Sequence, residues 1–550
     1  MRWGDFREVY VKKIRNKDLS NIISTSVVVL LAALIFVLLF IFSDANLFHY
    51  TAEMDSDIAS ETLFTTVLYQ NGHVQPRTWY MSSTPRVISV PNLASFIYPL
   101  FSYNANLSTG IACVIMMLIL IAVMYLFYRQ IGFSVIQTLI SLIVVMTFTN
   151  ASDECQRMLF LYASFYVSHI ITMFLIFIFY NKWLKDNKLA IWTLILSLGI
   201  AVLNGMQGMH GCMFCYVPLV GTECIRRLVY LIKGKKQNNI FILIWIIILF
   251  GCSFGIAKSL NTTNIGASRN IRKGFSKLLF EVLPALAKVL SFNRLTIIAV
   301  IILLLSIAGY GYYLFNIVKY AGRIFDEDTF YNYKAALPDD KSDLRYHIYQ
   351  FWSPAVLLLG FVLSIFLEAF TTSEVAGRYF ILMLFVVATG VSLFVQVFNE
   401  KVYSLIGVAV IVMIYGAFSG ISFYGELIKG DVSEISDEYM VYQWMKDNGY
   451  SYGYSTFDYG NTITVMSNDA VKVRAVNNMK DMEGCKWLSD TTWYPPVKSD
   501  EGATCYILTE DMWGDFSAFL ETYKPEVIEI AETGIFTIYV LDHDYTLWER

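Results

Sequence analysis

Long apolar runs separated by short polar breaks dominate this chain until about residue 430. A bilayer core takes about 20 apolar residues per helix. Stretches of that length recur near 21–43, 108–128, 131–149, 158–181, 189–204, 209–231, 239–257, 295–318, 350–370, 377–398 and 402–425. The pattern predicts about eleven transmembrane helices. From Asp431 onward it changes to that of a water-facing domain: helix-like over 437–448, strand-like over 450–457, then a polar turn at Asp458-Tyr-Gly-Asn461. Further strands are predicted at 471–476, 504–509 and 527–540, and a helix near 511–523. Such alternation predicts a small α/β layer domain. The expected fold is therefore a mainly α membrane protein, with a transmembrane domain over 1–430 and a small external α/β domain over 431–550.

Composition agrees with this reading: 56% of the 550 residues are hydrophobic and 16% charged, against about 45–50% and about 25% in an ordinary soluble domain. The mean hydropathy is +0.52. With a net charge of −4 there is no general basic field, so nucleic acid is not an expected partner. The local charge sets the orientation. Arg2, Arg7, Lys12, Lys13, Arg15 and Lys17 precede the first apolar run, and positive flanks stay in the cytoplasm. The N-terminus is thus expected inside, the first run acting as an uncleaved anchor, and eleven crossings put the C-terminal domain outside. Arg129, Lys182, Lys185, Lys188, Arg226, Arg227 and Lys401 then fall on cytoplasmic connections. The 258–294 loop departs from the rule, being basic yet expected outside, which suggests a use for its charge. Cys485 and Cys505 are the two cysteines of the C-terminal domain, and in an outer location they could pair.

Carboxylates in the expected external loop 44–107 are the sharpest chemical signal. Asp55, Asp57 and Glu61 lie close together, flanked by Glu53; Asp57 and Glu61 share a face if the segment is helical, Asp55 and Asp57 only if it is extended. Such acids can take a proton from a hydroxyl or hold a divalent ion such as Mg or Mn with its phosphate ligand. An acidic loop that merely stays wet is the plain alternative. Other polar groups fall on the same expected face: Asp153, Glu154 and Arg157, His210, the basic loop with Arg269, Arg272 and Lys273, and Glu374 with Arg378. Acids together with bases suit a phosphosugar, the bases holding its departing phosphate. An amphipathic segment at 271–290 would lie at headgroup level. Trp79 and Tyr80 could stack on a sugar or anchor the interface. His169, among Tyr162, Tyr166 and Ser168 in an apolar helix, is either a core histidine or a substrate contact.

These features resemble the superfamily of polytopic GT-C-fold glycosyltransferases, which includes protein mannosyltransferases and aminoarabinose transferases. The resemblance rests on the acidic residues just after the first span, Glu53-Met-Asp55-Ser-Asp57 with Glu61, and on the Arg378-Tyr379 pair opening a late span. More narrowly, Trp79-Tyr80-Met-Ser82-Ser83-Thr84, Tyr166–Ile170 and Tyr452–Thr462 are similar to segments of Gram-positive members, although Pro85 stands where an acid is common. The resemblance implies a GT-C-like helix arrangement and glycosyl transfer (EC 2.4 class) from a polyisoprenyl-phosphate donor to a glycan, lipid or protein acceptor. The reaction would take place at the outer face of a bacterial plasma membrane. For that reaction the residues themselves offer Asp55 as base, followed by Asp57 and Glu61, with Arg378, Tyr379, Arg269, Arg272 and Lys273 as donor-phosphate candidates and Trp79, Tyr80, Asp153, Glu154, His169 and His210 as substrate candidates. A metal is not required by the resemblance. The competing class is a transporter or flippase of lipid-linked sugars, which the placement of the acids in external loops disfavours.

Overall fold

The computed structural model describes residues 3–52, 54–81, 85–148, 154–235, 239–260, 271–289, 295–321, 347–372, 375–397, 402–431, 433–494 and 502–546, with the backbone alone for 3–21, 154, 156, 271–272, 347, 402–404 and 426–430. The chain is mostly helical, with a small sheet region near the C-terminus. It divides into two compact units: 1–41, 118–156 and 166–422 form one, and 42–117, 157–165 and 423–550 the other.

Among the described residues eight helices are long and apolar enough to cross a membrane: Ile22–Phe48, Ala105–Gln130, Val167–Asp186, Ile240–Ser259, Thr296–Lys319, Ser353–Phe370, Gly377–Val397 and Leu405–Gly425. The other three expected spans are shorter or broken. Val135–Thr147 and Ile191–Met206 are apolar helices of 13 and 16 residues, and 209–231 becomes a π-helical turn, Cys212–Tyr216, leading into a helix at Val217–Ile232. The first of these begins sharply because Ser134 and Gln137 form a capping box, each satisfying an N–H that the helix leaves unpaired.

Within the membrane unit, small and polar residues set the packing. The helices Thr296–Lys319 and Leu382–Val397 approach so closely at Gly309 and Gly390 that a Cβ on Gly309 would lie 2.0 Å from the Gly390 carbonyl oxygen. Lipid gives two apolar helices no hydrophobic reason to associate, so close backbone approach and polar contacts do the holding. Gln137 Nε2 donates to the Ser392 carbonyl at 3.0 Å and to Gln396 Oε1 at 2.8 Å, and the Ser141 and Ser392 hydroxyls lie 2.7 Å apart. Glu223 is buried with two guanidiniums, Arg226 at 2.7 Å and Arg227 at 2.8 Å, and accepts the Tyr180 hydroxyl at 2.8 Å. The arginines of that expected cytoplasmic connection are thus packed in a network.

The second unit joins the loop after the first apolar helix to the C-terminal segment. Strands β1 (Trp79–Tyr80) and β4 (Ser489–Asp490) pair antiparallel, Trp79 opposite Asp490. The main sheet comprises β2 (Tyr452–Thr456), β3 (Lys472–Val476), β5 (Thr504–Leu508), β6 (Val527–Thr533) and β7 (Phe536–Leu541), in the order β3-β2-β5-β7-β6. The β2, β3 and β5 strands run parallel and the last two form an antiparallel hairpin. Tyr454, Tyr506, Phe516, Phe519 and Leu541 fill one face, while Val441, Met445, Ile463, Val473, Ile507 and Ile538 fill the other.

Two expectations are corrected, and one alternative left open is decided. The Asp458–Asn461 stretch is no turn but the start of the helix Phe457–Met466, which crosses from β2 to β3; its Ile463 joins the core, and Gly460 lets it rest on the backbone of Arg474. The 527–540 strand is a hairpin, turning at Gly534 with φ +58°, a left-handed conformation that glycine adopts without strain. Cys485 and Cys505 are separate buried thiols.

Candidate functional site

The acidic segment is helical from Ser56 to Gln70, and this decides what each carboxylate does. Asp55 is the N-cap, extended at φ −116° and ψ 172°, with Oδ1 accepting the Ile58 N–H at 2.8 Å. A helix start favours a negative charge. Oδ2 faces Arg157, whose Nη2 lies 3.2 Å away, and the Asp55 side chain is 52% exposed. Asp57, in the first turn, is also exposed. Because the helix begins at Ser56, Asp55 and Asp57 do not form the one-sided pair of an extended strand.

Glu61 is different: 3% exposed, it receives Arg86 Nε at 2.7 Å. Burial pushes its carboxyl above the ordinary value, and the charge and hydrogen bond of Arg86 pull it part of the way back. With Phe64, Gln75, Trp79, Met81 and Leu488 the pair lines a narrow crevice. Trp79 is buried, stacked on Phe64 at 4.6 Å and edge-on to Trp493 at 5.6 Å, while Tyr80 points the other way and is exposed. The helix rises about 1.5 Å per residue, so Glu61 sits about 9 Å further along it than Asp55.

Arg157 is held by an unusual stretch of chain. Tyr162, Ala163 and Ser164 all have positive φ, of 43°, 69° and 44°. Each such non-glycine residue costs about 1 kcal/mol or more. Asn46 clamps the segment: its Nδ2 donates to the Phe160 carbonyl at 2.7 Å and its Oδ1 accepts the Tyr162 N–H at 3.1 Å. The strain therefore sits beside the Asp55–Arg157 contact, on residues that are almost wholly buried.

The membrane unit holds a second group of expected residues. His169 and His210 come together, ring centroids 5.4 Å apart, with Tyr166 at 5.2 Å from His210 and Phe214 at 5.8 Å. They flank the π-helical turn at Cys212–Tyr216, a kind of irregularity frequent at functional sites. Arg378 and Tyr379 occupy a 3₁₀ turn, Gly377–Phe380, the guanidinium 5.5 Å from the neighbouring ring. Lys273 is exposed on the helix Ile271–Lys277, which continues through a π-turn to Val289. Asp153 and Arg269 lie outside the described residues, as do Glu53 and Glu374, and Glu154 and Arg272 are described in their backbone only.

Among the described residues no three His, Cys, Asp or Glu side chains converge to hold a metal ion. Asp55 accepts from its own helix through one oxygen and faces Arg157 with the other. Arg86 was not legible as a site residue; its one signal is its place just after the Trp79–Thr84 segment. Leu488, which lines the crevice, and Trp493, which packs on Trp79, carry no local signal at all, since both come from some 400 positions away. No protein-family model matches the chain, and no curated protein matches it.

Proposed function

We propose that this chain is a membrane glycosyltransferase of the GT-C superfamily. It transfers a sugar from a polyisoprenyl-phosphate donor to an acceptor hydroxyl at the outer face of a bacterial plasma membrane, as part of cell-surface glycan modification. The observation that carries the reading is Asp55: a half-exposed carboxylate fixed at a helix start, with Arg157 on its second oxygen. A group that must take a proton needs both a defined position and access. In this reaction the acceptor oxygen attacks the anomeric carbon and its proton passes to Asp55. The bond from that carbon to the phosphate oxygen breaks, and the phosphate keeps the electron pair. Arg157 is a cation within reach of the developing negative charge. Asp57 orients the acceptor, and the buried Glu61–Arg86 pair fixes the helix on which both acids sit.

The test is Asp55→Asn. The amide keeps the size and the helix-capping oxygen but cannot take a proton at neutral pH. Loss of a general base costs about 100- to 10,000-fold in rate, so cells carrying the variant should accumulate a polyisoprenyl-phosphate sugar and lose a glycan decoration while the protein remains folded. A dead Asp57→Asn beside an active Asp55→Asn would move the base to the second acid. Near-normal transfer by both and by Glu61→Gln would end the enzymatic reading of this helix and favour a transporter of lipid-linked sugars.

A further inference from the structure

The sheet of the second unit ends on β6, one edge of which pairs with β7 while the other has no strand beside it among the described residues. Natural edge strands are usually blunted by short length, Lys, Pro or bulges. This one has a bulge only at its start, between Val527 and Glu529, and runs seven residues. Ile528 and Ile530 on it are 53% and 55% exposed. Ile530 stands opposite Tyr539, on which the 46%-exposed Trp513 stacks at 5.7 Å. The helix Trp513–Tyr523 thus covers the middle of that sheet face and stops short of β6, leaving an apolar shelf along the open edge.

Charge decides what the shelf fits. Between residues 510 and 533 there are seven acidic residues and one basic, Lys524. An anionic lipid surface and a second copy of the same edge would both be repelled, and a neutral glycan would gain nothing from the field. We infer that the β6 edge is a docking site for an extended, basic polypeptide segment of another protein, which adds as a strand. Backbone hydrogen bonds supply the register, apolar side chains seat on Ile528, Ile530 and Trp513, and Lys or Arg face the acids.

The probe is a capped nine-residue peptide alternating Lys and Val, added to the full chain in detergent micelles and followed by backbone hydrogen exchange. Slowed exchange over 527–533 is the expected result, weakening as salt shortens the screening length from about 10 Å at 0.1 M to about 3 Å at 1 M. Ile530→Asp, and separately Glu521→Lys with Glu532→Lys, should each weaken binding at least about tenfold, equivalent to about 1.4 kcal/mol. A peptide of the same composition with a central Pro should protect the strand far less, a comparison that needs no variant protein. Absence of protection at 527–533, or equal protection by the Pro peptide, overturns the proposal. So does protection that appears without peptide as protein concentration rises, which would make a second copy the occupant, or protection by anionic vesicles alone.

Discussion

Glu61 and Arg86 show what a buried charge demands of its surroundings. Taking either ion out of water costs several kcal/mol, and their attraction offsets that only while both are present. Arg86→Met therefore leaves Glu61 at 3% exposure with its largest compensating charge gone; the expected loss is about 3–5 kcal/mol of stability, read as a fall in melting temperature. Removing both charges, with Glu61→Met and Arg86→Met together, should cost much less than the single change. The pH dependence has a definite sign. The folded carboxyl binds its proton more tightly than the unfolded one, whose value is about 4.3, so stability declines as pH rises from there through the folded value. Arg86→Met raises the folded value further and widens that window, and adding Glu61→Gln should flatten the profile. An Arg86→Met protein as stable as the parent at neutral pH would mean that water, not Arg86, compensates the carboxylate.

At the scale of helices and strands, backbone approach matters as much as side-chain chemistry. A Cβ on Gly309 would meet the Gly390 carbonyl at 2.0 Å, whereas Gly311, two positions on along the same helix, has nothing within 4 Å. Gly309→Ala should force the pair apart and destabilise by about 1–3 kcal/mol or more. Gly311→Ala should be neutral or slightly stabilising, since it only narrows the unfolded ensemble. Equal melting temperatures for the two variants in micelles would remove the glycine contact as the basis of this helix pair. Elements of this kind were legible where one local pattern decides them. Apolar length marks the long helices, the 437–448 helix lies at Asp437–Asp447, and the 471–476 and 504–509 strands fall on β3 and β5. The Asp458–Asn461 turn was misread because Gly and Asn speak locally for a turn, while Ile463 and Val465 further on are buried in a helix. The site was legible only in part for the same reason. Asp55 stands out beside a helix start, but its partner Arg157 lies 102 positions away and the Glu61 partner 25 away, and no local pattern records such pairings.

For the molecule as a whole, packing within one unit constrains how often the chain crosses a membrane. Asn461 donates to the Ser60 hydroxyl at 2.8 Å, Trp79 pairs with Asp490, and His49 Nδ1 lies 2.5 Å from Asp431 Oδ2. In a bilayer, the segment after the first long apolar helix and the segment after the last would therefore share one side, because a polar segment of chain does not thread through lipid. An even number of crossings must separate them. Among the described residues the eight long apolar helices leave seven after the first, which is odd. Among the described residues, parity is restored if one or all three of the shorter helices, Val135–Thr147, Ile191–Met206 and the interrupted 212–232, complete a crossing, or if one long helix does not; eleven crossings satisfy the condition with all three. Cysteines introduced at the exposed positions Gly72 and Asp469, with exposed Cys224 replaced, provide the test. Both should react with an impermeant maleimide in intact cells, and a cysteine at Lys12 only after the membrane is opened. Reaction of one of the first two without the other would contradict the shared packing. Reaction of neither until permeabilisation would put the whole unit, Asp55 included, in the cytoplasm, and transfer at the outer face would have to be abandoned.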